Sequence, residues 1–212
     1  MIRNLIKFVI ILGLVCTFIG GGVAALYGVF QGRIERRDEQ VKAEAIRAVV
    51  PAGARVDVEK PLVGEKFAPD AVYAVRDAEG KIVAYVAQGE AQGYSSVVKV
   101  MVGAVPDGDR LKVHRVVVLS QQETPGLGAA VAEERSNYTL WEKLFGPGEA
   151  GKTEKLINPF LDRFRGRKQN EIQGVDGITA ATITSNATKR AVEQALERIR
   201  EALKERPAPA KR

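Results

Sequence analysis

Residues 71–88 have the sequence AVYAVRDAEGKIVAYVAQ, which predicts a β-hairpin. Two runs rich in apolar and β-branched residues, Ala71–Arg76 and Lys81–Gln88, flank the turn-forming residues 77–80 (DAEG). Such runs on either side of a tight turn are typical of paired antiparallel strands. A sheet of this kind is therefore expected at the centre of the fold.

Two further strands are predicted after this hairpin. The alternating apolar runs Val97–Val105 and Leu111–Leu119 are joined by the turn-forming residues 106–109 (PDGD). Successive runs with short turns indicate strands that pair with their neighbours along the chain. The sequence thus predicts an antiparallel meander.

Helical periodicity is present on both sides of the meander in the sequence. Apolar residues recur at helical spacing from Arg33 to Val50, where Pro51 ends the pattern. A second apolar stripe runs from Ala187 to Leu203. Because residues that recur every three or four positions share one face of a helix, both segments are predicted to be amphipathic helices. The expected fold class is α+β, an antiparallel sheet with flanking helices.

An uncharged apolar segment precedes the first of these helices. No residue from Phe8 to Phe30 carries a charge. This segment reaches the roughly 20 residues that cross a bilayer as a helix, whereas the apolar part of a signal peptide has only about 7–15. We therefore expect one permanent, single-pass membrane anchor. Basic residues lie on both sides of the segment, at Lys7 and Arg33, so charge alone leaves its orientation open.

The chain is expected to divide into four parts. They are an N-terminal transmembrane anchor at residues 1–31, a connecting helix at 32–50, one domain at 51–206 and a disordered tail at 207–212.

The cysteine and histidine content excludes several kinds of site. The chain has one cysteine, Cys16, and one histidine, His114, so it cannot form an intrachain disulfide, a cysteine-ligated zinc site or an iron–sulfur cluster. No metal site is expected, and any redox centre must be organic and bound from outside. The net charge is +6, but the basic cluster at residues 163–168 has no aromatic-rich binding stripe beside it. Nucleic acid is therefore not an expected partner.

Residues 176–185 (DGITAATITS) place several hydroxyl groups directly before the second helix. These residues are Thr179, Thr182, Thr184 and Ser185. Unpaired N–H groups and the helix dipole favour an anion such as phosphate at a helix N-terminus. An ordinary polar turn with a Thr or Ser cap is the alternative interpretation. This stretch alone leaves both interpretations open.

A second loop, residues 120–128 (SQQETPGLG), follows the last predicted strand. Its Pro-Gly pair predicts a tight turn, and the glycines on either side of Leu127 let the backbone approach another group closely. By itself, this loop has the composition of an ordinary turn between a strand and a helix. Together with the hydroxyl-rich run, it suggests a flat ligand whose ring contacts the backbone near Leu127 while its phosphate lies at the second loop.

Residues 123–128 (ETPGLG) and 176–185 together resemble the FMN-binding domain of the G subunit of Rnf electron-transport complexes. The C subunit of the sodium-translocating NADH:quinone oxidoreductase is similar in the same elements. The resemblance also covers residues 93–96 (GYSS), the strand pair after them, Trp141 and the N-terminal helix. It implies an electron-carrying subunit of an ion-translocating oxidoreductase linked to ferredoxin and NAD. Such a subunit relays electrons through FMN, has no catalytic residues of its own and is not a complete enzyme alone.

In this family a separate flavin transferase esterifies the FMN phosphate to a threonine, and the resemblance implies Thr182 as the attachment residue, with Thr184 as second choice. The residues that the transferase would recognise are Asp176, Gly177, Thr179, Ala181 and Thr182. The residues that would bind the cofactor are Glu123, Thr124, Gly126, Leu127, Gly128, Thr179, Ala181, Thr184 and Ser185. Of these, Thr184 and Ser185 would lie at the phosphate, and Glu123 would hold its loop or tune the flavin.

One residue departs from the family pattern. Ala180 stands where the family usually has glycine. If the backbone at this position needs a positive φ, the methyl group costs stability.

The resemblance also implies partners and a location. The expected partners are other subunits of the complex, the flavin transferase and the membrane. The expected location is the cytoplasmic (inner) membrane, with the bulk of the chain on its extracytoplasmic side, so that residues 51–206 would be an extracytoplasmic FMN-binding domain. The alternatives are the C subunit of the quinone oxidoreductase, a membrane-anchored assembly module without a cofactor, and a flavin-reducing enzyme that acts alone. The short chain without an obvious insertion favours the Rnf G subunit over the quinone-oxidoreductase C subunit, and no signature of a second substrate site supports a stand-alone enzyme.

Overall fold

The computed structural model describes residues 2–108, 110–133, 135–136 and 156–205. Its helices are α1 (Ile2–Ala48) and α2 (Thr182–Glu205), with short 3-10 helices at Gly128–Ala132, Leu161–Phe164 and Gln169–Glu171. Its strands are β1 (Arg55–Val56), β2 (Val72–Arg76), β3 (Ile82–Gln92), β4 (Val97–Asp107), β5 (Arg110–Ser120), β6 (Arg135–Ser136) and β7 (Leu156–Ile157). The chain divides into two compact units, Met1–Val41 and Lys42–Arg212.

The first unit contains the apolar part of α1. Large apolar side chains of this part, among them Phe8, Phe18 and Val29, are exposed. Among the described residues, α1 is the one helix that is long and apolar enough to cross a membrane, with a mean hydropathy of 2.5 over its most apolar window. A helix that is apolar all round suits the interior of a bilayer better than water. These properties agree with the predicted anchor.

A five-stranded antiparallel sheet forms the centre of the second unit, in the order β1-β2-β3-β4-β5. The turn between β2 and β3 is closed by the Asp77 carboxylate, which accepts hydrogen bonds from the N–H groups of Glu79 and Lys81 at 3.0 and 2.9 Å. Such an aspartate turn leads the chain directly back along the strand it has left. The α+β fold class and the antiparallel meander are confirmed.

One face of this sheet packs against α2. The core on this face contains Val100 and Val102 of β4 together with Leu196 and Ile199 of α2, and all four side chains are fully buried. Burial of this apolar stripe explains why the segment forms a long helix despite its many charges. The second predicted amphipathic helix is therefore confirmed.

The other face packs against the last turns of α1, which belong to the same unit as the sheet. Ile46 and Val49 are fully buried there beside Val86 of β3 and Met101 of β4. Because helices cover both faces, the middle of β3 is buried without interruption, and apart from Gln88 it contains no polar side chain in this stretch. The first predicted helix is also confirmed, and it ends at Ala48.

The start of α2 differs from the sequence prediction. The structure begins α2 at Thr182 rather than at Ala187, because the Ser185 N–H donates to the Ala181 carbonyl at 2.8 Å and closes an earlier turn. The hydroxyl-rich run therefore forms the first turn of the helix instead of only preceding it.

The short strands β1, β6 and β7 are absent from the sequence prediction. Each has two residues, which is too few for an alternating pattern. Trp141 and the predicted tail at residues 207–212 lie outside the described residues.

Candidate cofactor site

The carboxylate of Glu123 joins three segments of the second unit. Its oxygens accept hydrogen bonds from the backbone N–H groups of Tyr94, Ser95 and Ser96 at 3.1, 3.2 and 2.9 Å. They also accept from the hydroxyl groups of Ser96 and Thr184 at 2.9 and 2.7 Å. The loop between β3 and β4, the loop after β5 and the first turn of α2 therefore meet at one side chain. We call this cluster of five residues the Glu123 node.

Glu123 is a fixed anion in this environment, although its side chain is only 6% exposed. Burial on its own raises the pKa of Glu123, but the hydrogen bonds from Thr184, Ser96 and Tyr94 together lower it to about 2. At neutral pH this carboxylate accepts hydrogen bonds and has no proton to donate. Its geometry supports the role of holding its loop.

Two glycines let the backbone pack directly on Glu123. A Cβ atom at Gly128 would lie 2.6 Å from Thr184 Oγ1 and 2.8 Å from Glu123 Oε2. A Cβ atom at Gly93 would lie 2.6 Å from Glu123 Oε1. These distances are well inside van der Waals contact, so a larger residue at either position must displace the carboxylate. The backbone at Gly128 thus makes the expected close approach, and the groups it approaches are Glu123 and Thr184 of the node.

The loop after β5 presents its tip to solvent. The N–H groups of Leu127 and Ala129 donate to the Thr124 carbonyl at 3.1 and 3.2 Å, and Gly126 has a φ of 75°. These features form the predicted tight turn. Thr124 and Gly126 are exposed, as is nearly half of the Leu127 side chain. Contacts between these residues and a cofactor stay a prediction.

The segment before α2 exposes most of its motif. Asp176, Gly177, Thr179 and Thr182 are exposed or partly exposed, whereas Ala181 is buried. Thr182 is the first residue of α2 and is exposed, so it lies at the positive end of the helix dipole. Both a modifying enzyme and a phosphate group can reach this position.

Two contacts fix the backbone of this segment. The Ile178 N–H donates to Ser185 Oγ at 3.0 Å. Arg163 Nη1 donates to the carbonyl of Asp176 at 2.9 Å, and Asp176 itself is exposed. The sequence places Arg163 only within the basic cluster, because no sequence pattern indicates a hydrogen bond to a carbonyl 13 positions away.

Ala180 adopts a left-handed backbone conformation, with a φ of 65°. This conformation costs roughly 1–2 kcal/mol for a residue with a Cβ atom. The backbone at position 180 therefore has the positive φ at which glycine is favoured, so the alanine methyl group costs stability. The strain lies two residues before Thr182.

The structure places the last two hydroxyls of the motif inside the domain. Thr184 and Ser185 are fully buried. The Thr184 hydroxyl donates to Glu123, and Ser185 Oγ accepts from Ile178. Of the two attachment candidates, Thr182 is thus the exposed one. Contact of Thr184 and Ser185 with a phosphate stays a prediction, and their observed contacts hold the surrounding loops.

Each of the three segments that meet at the node carries an exposed large apolar side chain. Tyr94, Leu127 and Ile183 are 71%, 47% and 53% exposed. The Tyr94 N–H donates a hydrogen bond to Glu123. Leu127 precedes Gly128, which packs on Glu123, and Ile183 precedes Thr184, which donates to it. Large apolar side chains in solvent are common where a ligand or partner binds. Ile183 is absent from the site predicted from the sequence, and the helix start at Thr182 brings it to the surface.

Comparison with known proteins identifies this region. Residues 93–197 match the family model of the FMN-binding domain. Over 188 residues the chain is 26% identical to the G subunit of the proton-translocating ferredoxin:NAD(+) oxidoreductase complex of Clostridium ljungdahlii, covering 89% of this chain and 88% of that protein. Over 107 residues it is 36% identical to the G subunit of the ion-translocating oxidoreductase complex of Vibrio atlanticus, covering 50% of this chain and 44% of that protein.

A crystal structure of NqrC from Shewanella oneidensis is also similar, with a TM-score of 0.44 and 20% identity, over 76% of this chain and 74% of that one. The matched residues 93–197 contain the Glu123 node, the loop after β5 and the hydroxyl-rich motif. Residues 93–197 therefore match the FMN-binding domain, and the chain is similar in sequence to the G subunits of ion-translocating oxidoreductase complexes.

Proposed function

We propose that this protein is the electron-carrying G subunit of an ion-translocating electron-transport complex linked to ferredoxin and NAD, with FMN joined through its phosphate to Thr182. The observation that carries the proposal is the position of Thr182. It is the exposed first residue of α2, two residues before Thr184, which anchors that helical turn to Glu123.

The phosphate of FMN suits the N-terminus of α2. The first N–H groups of an α-helix have no acceptor within the helix. In the described part of the chain, no backbone carbonyl outside α2 accepts from the N–H of Thr182 or Ile183. An ester at Thr182 Oγ1 keeps an anionic phosphate beside these donors and the helix dipole.

The ring of FMN suits the exposed surface beside the Glu123 node. Leu127 and Tyr94 offer apolar area, and Thr124 and Gly126 offer exposed backbone at the tip of their loop. Bound FMN would supply the redox chemistry by taking up and passing on electrons. Glu123 fixes the loops beside this surface and, as a permanent anion, contributes negative charge nearby.

The exposed motif suits recognition by a flavin transferase. The Asp176 side chain and the hydroxyls of Thr179 and Thr182 are accessible from solvent, while the backbone beneath them is held by Arg163 and Ser185. A transferase would therefore meet a segment whose shape is already set. Ordering such a segment in advance lowers the entropic cost of binding.

The apolar part of α1 would anchor the protein in the cytoplasmic membrane, as a single span with the FMN-binding domain on the extracytoplasmic side. The relatives reported above are subunits of complexes, so the partners would be the other subunits of such a complex. Those relatives are named as G subunits, which favours this assignment over the C subunit of the quinone oxidoreductase.

Complementation tests the function. A strain that lacks this gene would receive either the wild-type chain or Thr182→Ala, and ferredoxin-dependent NAD reduction by its membranes would be measured. We expect Thr182→Ala to abolish the restored rate, and Glu79→Gln, an exposed turn residue, to restore it fully. Restoration of the wild-type rate by Thr182→Ala would refute electron transfer through a flavin at this residue.

A further inference from the structure

A concave surface lies away from the Glu123 node, in the same unit as the sheet. It is a cleft of about 780 Å³ formed by the residues at the end of α1, the middle of β5 and the 3-10 helix Leu161–Phe164. No residue of the Glu123 node and no residue of the motif at 176–185 lines it. The cleft is therefore available for a role other than cofactor binding.

Three arginines line this cleft: Arg47, Arg115 and Arg165. All three are exposed. Among the described residues, none of their guanidinium groups donates a hydrogen bond or forms an ion pair. By contrast, Arg190 and Arg198 elsewhere in this unit donate to backbone carbonyls. Within the described part of the chain, the three guanidinium groups thus keep their donors unused.

The cleft is positively charged because its arginines outnumber its acids. Asp162 is the one acidic residue among the lining residues described. His114 also lines the cleft, and its pKa is lowered by burial and by the charges of Arg165 and Arg115. The imidazole therefore adds no charge at neutral pH. The charge of this surface calls for an anionic occupant.

The uncharged part of the lining decides which kind of anion fits. Val117, Val118 and Val50 contribute aliphatic surface between the charged groups. A small anion such as phosphate would leave this aliphatic surface exposed to solvent. A peptide segment with both carboxylate and apolar side chains would bury it. Arginine binds carboxylates through paired N–H groups and is enriched at protein interfaces.

We propose that the cleft lined by Arg47, Arg115 and Arg165 is the docking site for a carboxylate-bearing segment of a neighbouring subunit. This inference rests on the proposed function, which supplies that neighbour. The site would hold the FMN-binding domain at a fixed place in the complex, at a surface separate from the one that carries the cofactor.

A carbodiimide cross-link in the purified complex tests the docking site. Arg115→Lys keeps the positive charge and introduces a primary amine. The carbodiimide adds to a nearby carboxylate and activates it. The lysine amine then attacks the activated carbonyl carbon, which forms an amide and releases the reagent as a urea. We expect peptide mapping to find an amide between position 115 and an Asp or Glu of another subunit. Arg190→Lys, placed outside the cleft, is the control and should not give that cross-link.

A charge-neutral variant gives the second readout. In Arg47→Gln combined with Arg115→Gln and Arg165→Gln, we expect the neighbouring subunit to be retained roughly tenfold less during purification at physiological salt. The covalent FMN content should stay unchanged, because the cleft is separate from Thr182.

The outcomes separate this inference from the proposed function. A complex that stays intact without a cross-link at position 115, or a cross-link only to carboxylates of this same chain, would overturn the docking site and leave the function standing. If millimolar inorganic phosphate prevents the cross-linking of the introduced amine and the charge-neutral variant retains the neighbouring subunit fully, the cleft is a small-anion site. That result would also overturn the docking site. If the wild-type chain retains no other subunit, the proposed function fails and the docking site with it.

Discussion

Thr184 Oγ1 lies 2.7 Å from Glu123 Oε2, and this hydrogen bond joins two residues that are 61 positions apart in the sequence. Both side chains are buried. Because Thr184 belongs to the first turn of α2, the bond fixes the helix end that carries the exposed Thr182. The geometry around the candidate attachment residue therefore depends on a buried anion in a different loop.

Replacing this anion should weaken the domain. Glu123→Gln keeps the size of the side chain but replaces a carboxylate oxygen with an N–H₂ group that faces hydrogen-bond donors. We expect the free energy of unfolding to fall by about 2 kcal/mol, since hydrogen bonds to a buried charged group are among the stronger ones. Chemical denaturation of the full chain in detergent measures this, with the exposed Glu79→Gln as control. Equal stabilities of the two variants would contradict the role of the node.

The same residue predicts a dependence of stability on pH. The pKa of Glu123 is about 2 in the folded protein against an ordinary value of 4.5. A lowered pKa stabilises the folded state above the ordinary value, and this contribution is lost as pH falls from 4.5 towards 2. The stability difference between the wild type and Glu123→Gln should therefore shrink in acid. A difference that stays constant between about pH 6 and pH 2 would argue against the lowered pKa.

Gly128 should not tolerate a side chain. In Gly128→Ala the new methyl group would lie 2.6 Å from Thr184 Oγ1, so the hydrogen bond to Glu123 must break or the backbone must move. We expect a loss of about 2 kcal/mol in the free energy of unfolding, as is typical of overpacking. Gly174→Ala is the matched control, because its methyl group would meet only Glu171 O at 3.4 Å. Similar losses for both variants would show that the tight contact at Gly128 is unimportant.

Ala180→Gly should stabilise the protein. The left-handed φ of 65° is strained for alanine and free for glycine. After the greater flexibility of glycine in the unfolded chain is taken into account, a gain of about 1 kcal/mol remains. Thermal unfolding of the full chain would detect it. Ala78→Gly, at a turn position without a positive φ, should give no gain, and a gain of equal size there would contradict this explanation.

The sheet could be predicted from the sequence because its signals are local. The strands β2 to β5 consist of apolar runs separated by short turns, and the Asp77 turn is closed by bonds to residues only two and four positions away. The end of α2 nearest the site could not be predicted. Its first turn, from Thr182 to Ser185, has loop-like composition, and it becomes helical because Thr184 and Ser185 find partners elsewhere in the fold.

The sequence indicates the motifs of the candidate site but not the contacts between them. The resemblance singled out Glu123 and Thr184 separately, while the bond between them depends on how β5 and α2 pack. The stability cost of a positive φ at Ala180 could be stated in advance, because it depends only on the residue type at that one position. The donors from Tyr94, Ser95 and Ser96 could not, because backbone N–H groups carry no signature in a sequence.

The most direct test of covalent FMN at Thr182 is an intact mass measurement on the full chain, produced with and without a flavin transferase and followed by peptide mapping. We predict an added mass of one FMN less one water on the peptide that contains Thr182, present only with the transferase and absent from Thr182→Ala. An unmodified chain beside a control protein that the same transferase has modified would contradict the account, as would FMN mapped to any other residue.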